Sequence, residues 1–268
     1  MKIGDYSFEQ KNHTYIMGIL NVTPDSFSDG GEFTNIDAAL FQVKKMIEEG
    51  ADIIDIGGES TRPGFTQVSN ETEESRILPI ISKIKTEFNI PISVDTYKSD
   101  VAAKAISAGA DMINDIWGLK YDSKMASLIA TTGVACCLMH NRESNDYFNF
   151  GEDVFTEISQ ILNHAFKAGI SEDKIILDPG IGFAKNTEQN LWILNNMDMM
   201  NHFDTPWLLG ASRKSVIGNT LNLPVGERLE GTLALTALAV MKGASFVRVH
   251  DVKENKRVID MLEAVKNV

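Results

Sequence analysis

Asp55, Asp95, Asn114 and Asp178 each close a short apolar run, and Arg248 with His250 ends another. Asn21, His140 and Ser212 finish three more runs of the same kind. Carboxylates and carboxamides accept hydrogen bonds, whereas Arg, Lys and protonated His only donate them. If Asp95, Asn114 and Asp178 face one cavity, two carboxylates and one amide form a ring of acceptors. No cluster of His or Cys accompanies them, so the ring is a poor transition-metal site. It suits a ligand bearing several N–H donors, such as a heterocycle with an amino-amide edge. One carboxylate can take two parallel N–H bonds from such an edge. The segments Ser212-Arg213-Lys214-Ser215 and Arg248-Val249-His250-Asp251 offer the opposite chemistry. Two cations at a helix start oppose the helix dipole, a cost more easily explained if an anion or electron-rich group sits there. Arg248 and His250 alternate along a strand, so both can face one side and hold an anion. Plainer roles stay open for each residue. Asp55 could accept backbone amides, Ser212 or Ser215 could cap a helix, and Arg62 could pair with a neighbouring acid.

Two long loops flank these groups. Asn21-Val22-Thr23-Pro24-Asp25-Ser26-Phe27-Ser28-Asp29-Gly30-Gly31 is rich in turn formers. Phe27 is a large apolar side chain among polar ones, the composition of a lid that closes over a substrate. The second loop runs through Gly57-Gly58-Glu59-Ser60-Thr61-Arg62-Pro63-Gly64. Its glycines allow backbone to approach a ligand closely, and Arg62 is its cation.

The elements that must hold these residues alternate regularly. Strands are predicted at Thr14–Leu20, Asp52–Ile56, Pro91–Asp95, Asp111–Asn114, Val134–Met139, Lys174–Asp178, Trp207–Gly210 and Ser245–Val249. Between them, Ile36–Glu49 carries Ile36, Leu40, Val43 and Ile47 at helical spacing, and Glu73–Phe88 carries Ile77, Ile80, Ile81 and Ile84. Ser99–Ser107, Val154–Lys167, Glu188–Asn195, Glu227–Met241 and Glu254–Val265 follow the same pattern, and a helix begins after Ser215. The joins Gly50-Ala51, Gly109-Ala110 and Gly243-Ala244 sit where a helix stops on a left-handed glycine before the next strand. Eight such units fit a closed barrel or an open doubly wound sheet. The open sheet calls for a glycine-rich phosphate loop after the first strand, and no G-x-G-x-x-G follows Leu20. A barrel predicts a functional residue at nearly every strand end, which is the pattern here. The fold expected is α/β, a single-domain (β/α)8 barrel over residues 1–268, with residues 1–13 covering the barrel bottom.

The bulk composition of these 268 residues agrees, with 43% hydrophobic and 23% charged residues. A net charge of −12 argues against nucleic acid and anionic membranes as partners. It leaves room for an anionic substrate, because a few focused cations can act locally. Cys136 and Cys137 are adjacent and would point to opposite strand faces, so they read as small buried residues in a reducing compartment. No charged-then-apolar leader and no membrane-length apolar run is present, and a cytoplasmic location is expected.

Asn21–Gly31, Gly58-Glu-Ser-Thr-Arg-Pro-Gly64, Asp178-Pro-Gly-Ile-Gly-Phe183, Ser212–Ser215 and Arg248–Asp251, taken in order over nearly the whole chain, resemble the dihydropteroate synthase family. The resemblance implies a folate-biosynthesis transferase, usually a homodimer and a sulfonamide target, that requires Mg2+. It implies condensation of 6-hydroxymethyl-7,8-dihydropterin diphosphate with 4-aminobenzoate to 7,8-dihydropteroate and diphosphate. Joined to the residue reading, it sets Asp178 against the pterin N2 and N3 protons, with Asp95 and Asn114 at other ring nitrogens. Lys214 donates to the ring oxygen or a nearby nitrogen, and Ile116, Met139 and Phe183 form apolar walls. Arg248, His250 and Asn21 serve the diphosphate, with Mg2+ bridging Asn21 to phosphate oxygens. Phe27, Thr61, Arg62, Pro63 and Ser215 surround the aminobenzoate. Phe65 is a position at which relatives vary. The nearest rival is a pterin-binding methyltransferase domain of the corrinoid-dependent kind, which needs neither Ser212–Ser215, nor Arg248 with His250, nor the two loops. A non-catalytic pterin binder and a phosphosugar barrel enzyme are more distant.

Overall fold

The computed structural model describes residues 1–9, 13–22, 32–59 and 66–266. A short hairpin, β1 (Lys2–Ile3) and β2 (Tyr6–Ser7), precedes eight parallel strands. These are β3 (Tyr15–Asn21), β4 (Ile53–Gly57), β5 (Ile92–Asp95), β6 (Met112–Asp115), β7 (Ala135–Met139), β8 (Ile175–Asp178), β9 (Leu208–Leu209) and β10 (Phe246–Val249). Neighbours in sequence are neighbours in space from β3 to β8, and β10 lies between β3 and β9. A parallel bridge between Leu177 and Trp207, with Leu177 N donating to Pro206 O at 2.9 Å, closes the ring between β8 and β9.

Helices α1 (Glu32–Glu48), α2 (Asn70–Glu87), α3 (Ser99–Ser107), α4 (Met125–Thr132), α5 (Phe150–Ala168) and α6 (Thr187–Asn195) each follow one strand. Two helices, α7 (Ser215–Leu221) and α8 (Leu229–Lys242), follow β9, and α9 (Val252–Lys266) ends the described chain. Gly50, Gly109 and Gly243 all adopt positive φ, as the helix-to-strand joins predict. Strand limits differ from the predicted ones by a residue at most ends. The seventh is shorter, Leu208–Leu209, with Trp207 before it bridging to Leu177 and accepting the Ser245 and Phe246 N–H groups at its carbonyl. Helix α4 was not among the predicted patterns.

Strand alternation explains why the barrel positions polar groups. Met17, Ile53, Met112, Cys137, Ile176, Leu208 and Phe246 point inward and form one buried cluster with Ile3 and Phe8 of the hairpin region. Two residues further along, the same inward faces reach Asp55, Asn114, Met139, Asp178 and Arg248. The intervening residues, including Ile54, Ile92, Ile113, Cys136, Leu177 and Val247, face outward into the helices. The strands are therefore buried on both faces, as parallel strands require. Fully burying each Ile contributes about 1.5–3 kcal/mol. Cys136 and Cys137 are free and buried in different clusters. Among the described residues, no helix is long and apolar enough to cross a membrane.

Candidate active site

Arg248 is the hub of the C-terminal rim. Its Nε donates to Asp55 Oδ2 at 2.6 Å and its Nη2 to Asp95 Oδ2 at 2.7 Å. These bonds commit two of its five N–H groups. Burial disfavours the guanidinium charge, but Asp55 and Asp95 outweigh burial and raise its pKa. Asn114 Nδ2 donates to Asp55 Oδ2 at 3.3 Å, which leaves the Asn114 amide oxygen as an acceptor. One cation thus serves two carboxylates. Burial raises the Asp95 pKa, Arg248 opposes that, and Asp55 adds to it. The other oxygens, Asp55 Oδ1 and Asp95 Oδ1, are buried without a hydrogen-bond partner among the described residues, as is Ser93 Oγ two residues before Asp95. Unsatisfied buried carboxylate oxygens are costly, and an N–H-rich ligand would relieve that cost.

Asp178 lies on the same rim. Its Oδ1 accepts the Gly180 N–H at 2.7 Å. Burial raises its pKa, opposed by Lys214, the Gly180 N–H, Arg248 and Lys185. A side chain at Gly210 would meet both Asp178 Oδ2, at 3.3 Å, and Lys214 Nζ, at 3.8 Å, so the missing Cβ lets these two groups converge. Burial lowers Lys214 to about 8, against the pull of Asp178 and Asp95. Its Nζ donates to Ile181 O at 2.5 Å and stands 4.8 Å over the Phe183 ring. Ile116, Met139 and Tyr97 form a small apolar cluster with Trp117 and Phe183 packed against it. The rim therefore combines acceptors, a positive side and apolar walls. Asp178 feels Lys214 and Arg248 electrostatically, and Lys214 feels Arg248 and Asp95, so these charges lie close enough on the rim to influence one another.

His250 follows β10, and its Nδ1 lies 2.9 Å from Ser212 Oγ, which also accepts the His250 N–H at 3.2 Å. Neither serine caps α7: Lys214 occupies the cap position and no side chain bonds there. Arg213, with a left-handed φ of 57°, pairs with both oxygens of Asp251. Its charge is satisfied by Asp251, and only Lys214 of the two cations turns toward the rim. Ser215 is exposed at the first position of α7. Asn21 ends β3 in register with Gly57, itself in register with Asp95. Phe27, Thr61, Arg62 and Pro63 lie outside the described residues, as does Phe65.

Sequence reasoning missed Tyr97 and left Asp55 between two roles. It also passed over a second buried ion cluster beside the rim. Lys98 Nζ donates to Glu59 Oε2 at 2.6 Å, Glu73 Oε2 at 2.8 Å and Val68 O at 2.8 Å. Tyr97 Oη donates to Glu59 Oε1 at 2.5 Å, and Val68 N donates to Glu59 Oε2 at 2.9 Å. This cluster ties both ends of the second loop to the start of α3. A lysine three residues after the strand-end Asp95 was the available signal.

Comparison with known proteins agrees with this chemistry. Residues 17–250 match the family described as pterin binding enzyme. The chain is 56% identical over 266 residues to the dihydropteroate synthase of Clostridium beijerinckii, covering 99% of each chain. It superposes with a TM-score of 0.94 on the dihydropteroate synthase of Clostridium difficile crystallised with pteroic acid, at 47% identity over 97% of this chain and 99% of that one. The Yersinia pestis enzyme in a sulfonamide drug complex gives a TM-score of 0.93 at 38% identity, over 100% of this chain and 99% of that one.

Proposed function

The chain belongs to the pterin-binding enzyme family, as a dihydropteroate synthase of folate biosynthesis, and from that premise we propose how its rim divides the work. The reaction condenses 6-hydroxymethyl-7,8-dihydropterin diphosphate with 4-aminobenzoate. Asp178 takes the N2 and N3 protons of the pterin in a paired hydrogen bond. Asp95 and Asn114 meet the remaining ring nitrogens, and the unpartnered Asp95 Oδ1 is the observation that carries this reading. Lys214 donates to the ring oxygen, while Ile116, Met139 and Phe183 enclose the bicycle. A wrong heterocycle would leave these buried groups unpaired, which gives selectivity.

The leaving diphosphate develops negative charge, and Arg248 and His250 stand on its side of the rim to stabilise it. Each well-placed donor is worth about 10²–10³ in rate. The donor chemistry fits Mg2+, since Asn21 offers one hard oxygen and magnesium ordinarily takes few protein ligands, the rest coming from phosphate and water. Mg2+ would neutralise phosphate charge there. Among the described residues no group of three His, Cys, Asp or Glu competes for a metal. The arylamine is a weak nucleophile, so we assign a dissociative path in which diphosphate leaves before nitrogen attacks. Phe27, Thr61, Arg62 and Pro63 then form the aminobenzoate pocket and exclude water, with Ser215 taking the carboxylate. Sulfonamides, which resemble aminobenzoate, compete for this pocket. The enzyme works as a cytoplasmic homodimer in this reading. Relatives that match over nearly the full length are dihydropteroate synthases, which favours this reaction over the corrinoid-type methyltransferase alternative.

Diphosphate release measured against both substrates tests the assignment. Release that needs both, with positional oxygen exchange in the diphosphate without aminobenzoate, is expected. An absolute requirement for aminobenzoate before any bond breaking would refute the dissociative path.

A further inference from the structure

Lys185 has no role in the account so far, yet its surroundings are tightly specified. Its Nζ donates to Gly180 O at 3.0 Å, Phe183 O at 3.0 Å and His140 Nδ1 at 2.9 Å. Three bonds use all three protons of an ammonium group. They require His140 Nδ1 to be an acceptor, so the imidazole is neutral and keeps its proton on Nε2. That Nε2 donates to Glu157 Oε2 at 3.0 Å. His140 is completely buried at the end of β7, and burial lowers its pKa to about 4, consistent with a neutral ring.

Lys98 is also held by three acceptors, but two of those are carboxylates, and they raise its pKa against burial. The three partners of Lys185 are all neutral. Burial accordingly lowers Lys185 to about 7; Asp178 and Glu157 oppose that shift, and Lys214 and Lys120 add to it. A lysine without a direct anionic partner is a poor stabilising device. The backbone it gathers explains its presence.

That backbone is the turn joining Asp178 to Phe183. Gly180 N binds Asp178 Oδ1, Gly180 O binds Lys185, Ile181 O binds Lys214, Gly182 N binds Asn190 Oδ1 at 2.6 Å, and Phe183 O binds Lys185. Gly180 has a φ of +73°, and a Cβ there would lie 2.0 Å from His140 O. Four successive residues are each fixed by an outside group, and Lys185 fixes the first and the last.

We propose that Lys185, oriented by the His140–Glu157 pair, is a positioning residue that locks residues 180–183 and so fixes Asp178 and the Phe183 ring as a single grip on the pterin. The proposal rests on Asp178 being the pterin acceptor. A positioning shell of this type commonly matters as much as the groups it holds.

The test uses the full-length enzyme with Lys185→Met, Lys185→Gln, Asp178→Asn and the Lys185→Met/Asp178→Asn double variant. Titration calorimetry with the pterin diphosphate and steady-state KM for both substrates are measured, with circular dichroism to confirm folding. Lys185→Met should weaken pterin binding about tenfold and leave the KM for 4-aminobenzoate within about twofold. Lys185→Gln, which retains two donors and perturbs packing less, should fall between Lys185→Met and the parent. The double variant should bind no more weakly than Asp178→Asn alone, because both changes disable one grip. Additive losses, an equal rise in both KM values, or unchanged pterin affinity in folded Lys185→Met and Lys185→Gln would overturn the proposal. Intact affinity in Asp178→Asn alone would instead overturn the pterin-acceptor assignment, and with it the route assigned to Lys185.

Discussion

Two buried ion clusters sit side by side on this barrel, each with one cation and two carboxylates, and they are completed differently. Around Lys98, the Glu59 oxygens accept from Lys98, Tyr97 and Val68, and Glu73 accepts from Lys98. Around Arg248, Asp55 Oδ1 and Asp95 Oδ1 have no hydrogen-bond partner among the described residues. A complete network rigidifies the fold, whereas an incomplete one is costly unless something arrives to finish it. The contrast separates structure from function without reference to which residues are charged, since both clusters contain the same kinds of charge.

Removing each cluster's key member should therefore have opposite signatures. Lys98→Met leaves Glu59 and Glu73 buried without a cation and should destabilise the protein by about 3–5 kcal/mol. The kcat/KM of the folded fraction should stay within about threefold, since Lys98 touches no substrate in this account. Thermal denaturation beside steady-state kinetics checks this; a normal melting curve with lost activity would erase the distinction. Asp95→Asn should behave in the opposite sense. Arg248 and Asp55 remain as a neutral pair, so stability should change by under about 1 kcal/mol, while pterin affinity falls about 10–100-fold. A stability loss without a binding loss would make this cluster structural too.

The pH response sharpens the comparison further. Lys214 titrates near 8 in the folded enzyme, below the ordinary 10.5. As pH rises through 8 the folded enzyme releases that proton while the unfolded chain keeps it. The free protein should gain stability over that interval, while kcat/KM for the pterin substrate declines. Lys214→Met should abolish the decline; a decline that persists unchanged would assign it to another group. The smallest effect is expected from Ser212→Ala, which removes the hydroxyl that meets the His250 ring and backbone. Each of the two hydrogen bonds lost is worth about 0.5–1.5 kcal/mol, and kcat/KM should fall about two- to tenfold.

Much of this was legible in the sequence, for identifiable reasons. Asp178, Asp95 and Asn114 could be placed because strand alternation and the end of an apolar run together set a residue on the rim. The glycine joins announced three helix ends because left-handed φ strongly favours glycine. Helix α4 escaped because Met125–Thr132 is barely two turns long and carries little contrast between its faces. The Arg248 contacts with Asp55 and Asp95 span 193 and 153 residues, distances over which local pattern carries no pairing information. Lys185 carries no local signal in the sequence, because its meaning lies in three acceptors brought together by the turn and by the end of β7.

On this reading, one small molecule spans the acid side and the cationic side of a single rim. Calorimetric titration of folded Asp178→Asn with the pterin diphosphate, and separately with inorganic diphosphate, tests it most directly. At least about a tenfold loss is expected for the pterin diphosphate, with an unchanged affinity for inorganic diphosphate. Equal affinity of the parent and Asp178→Asn for the pterin diphosphate would contradict it.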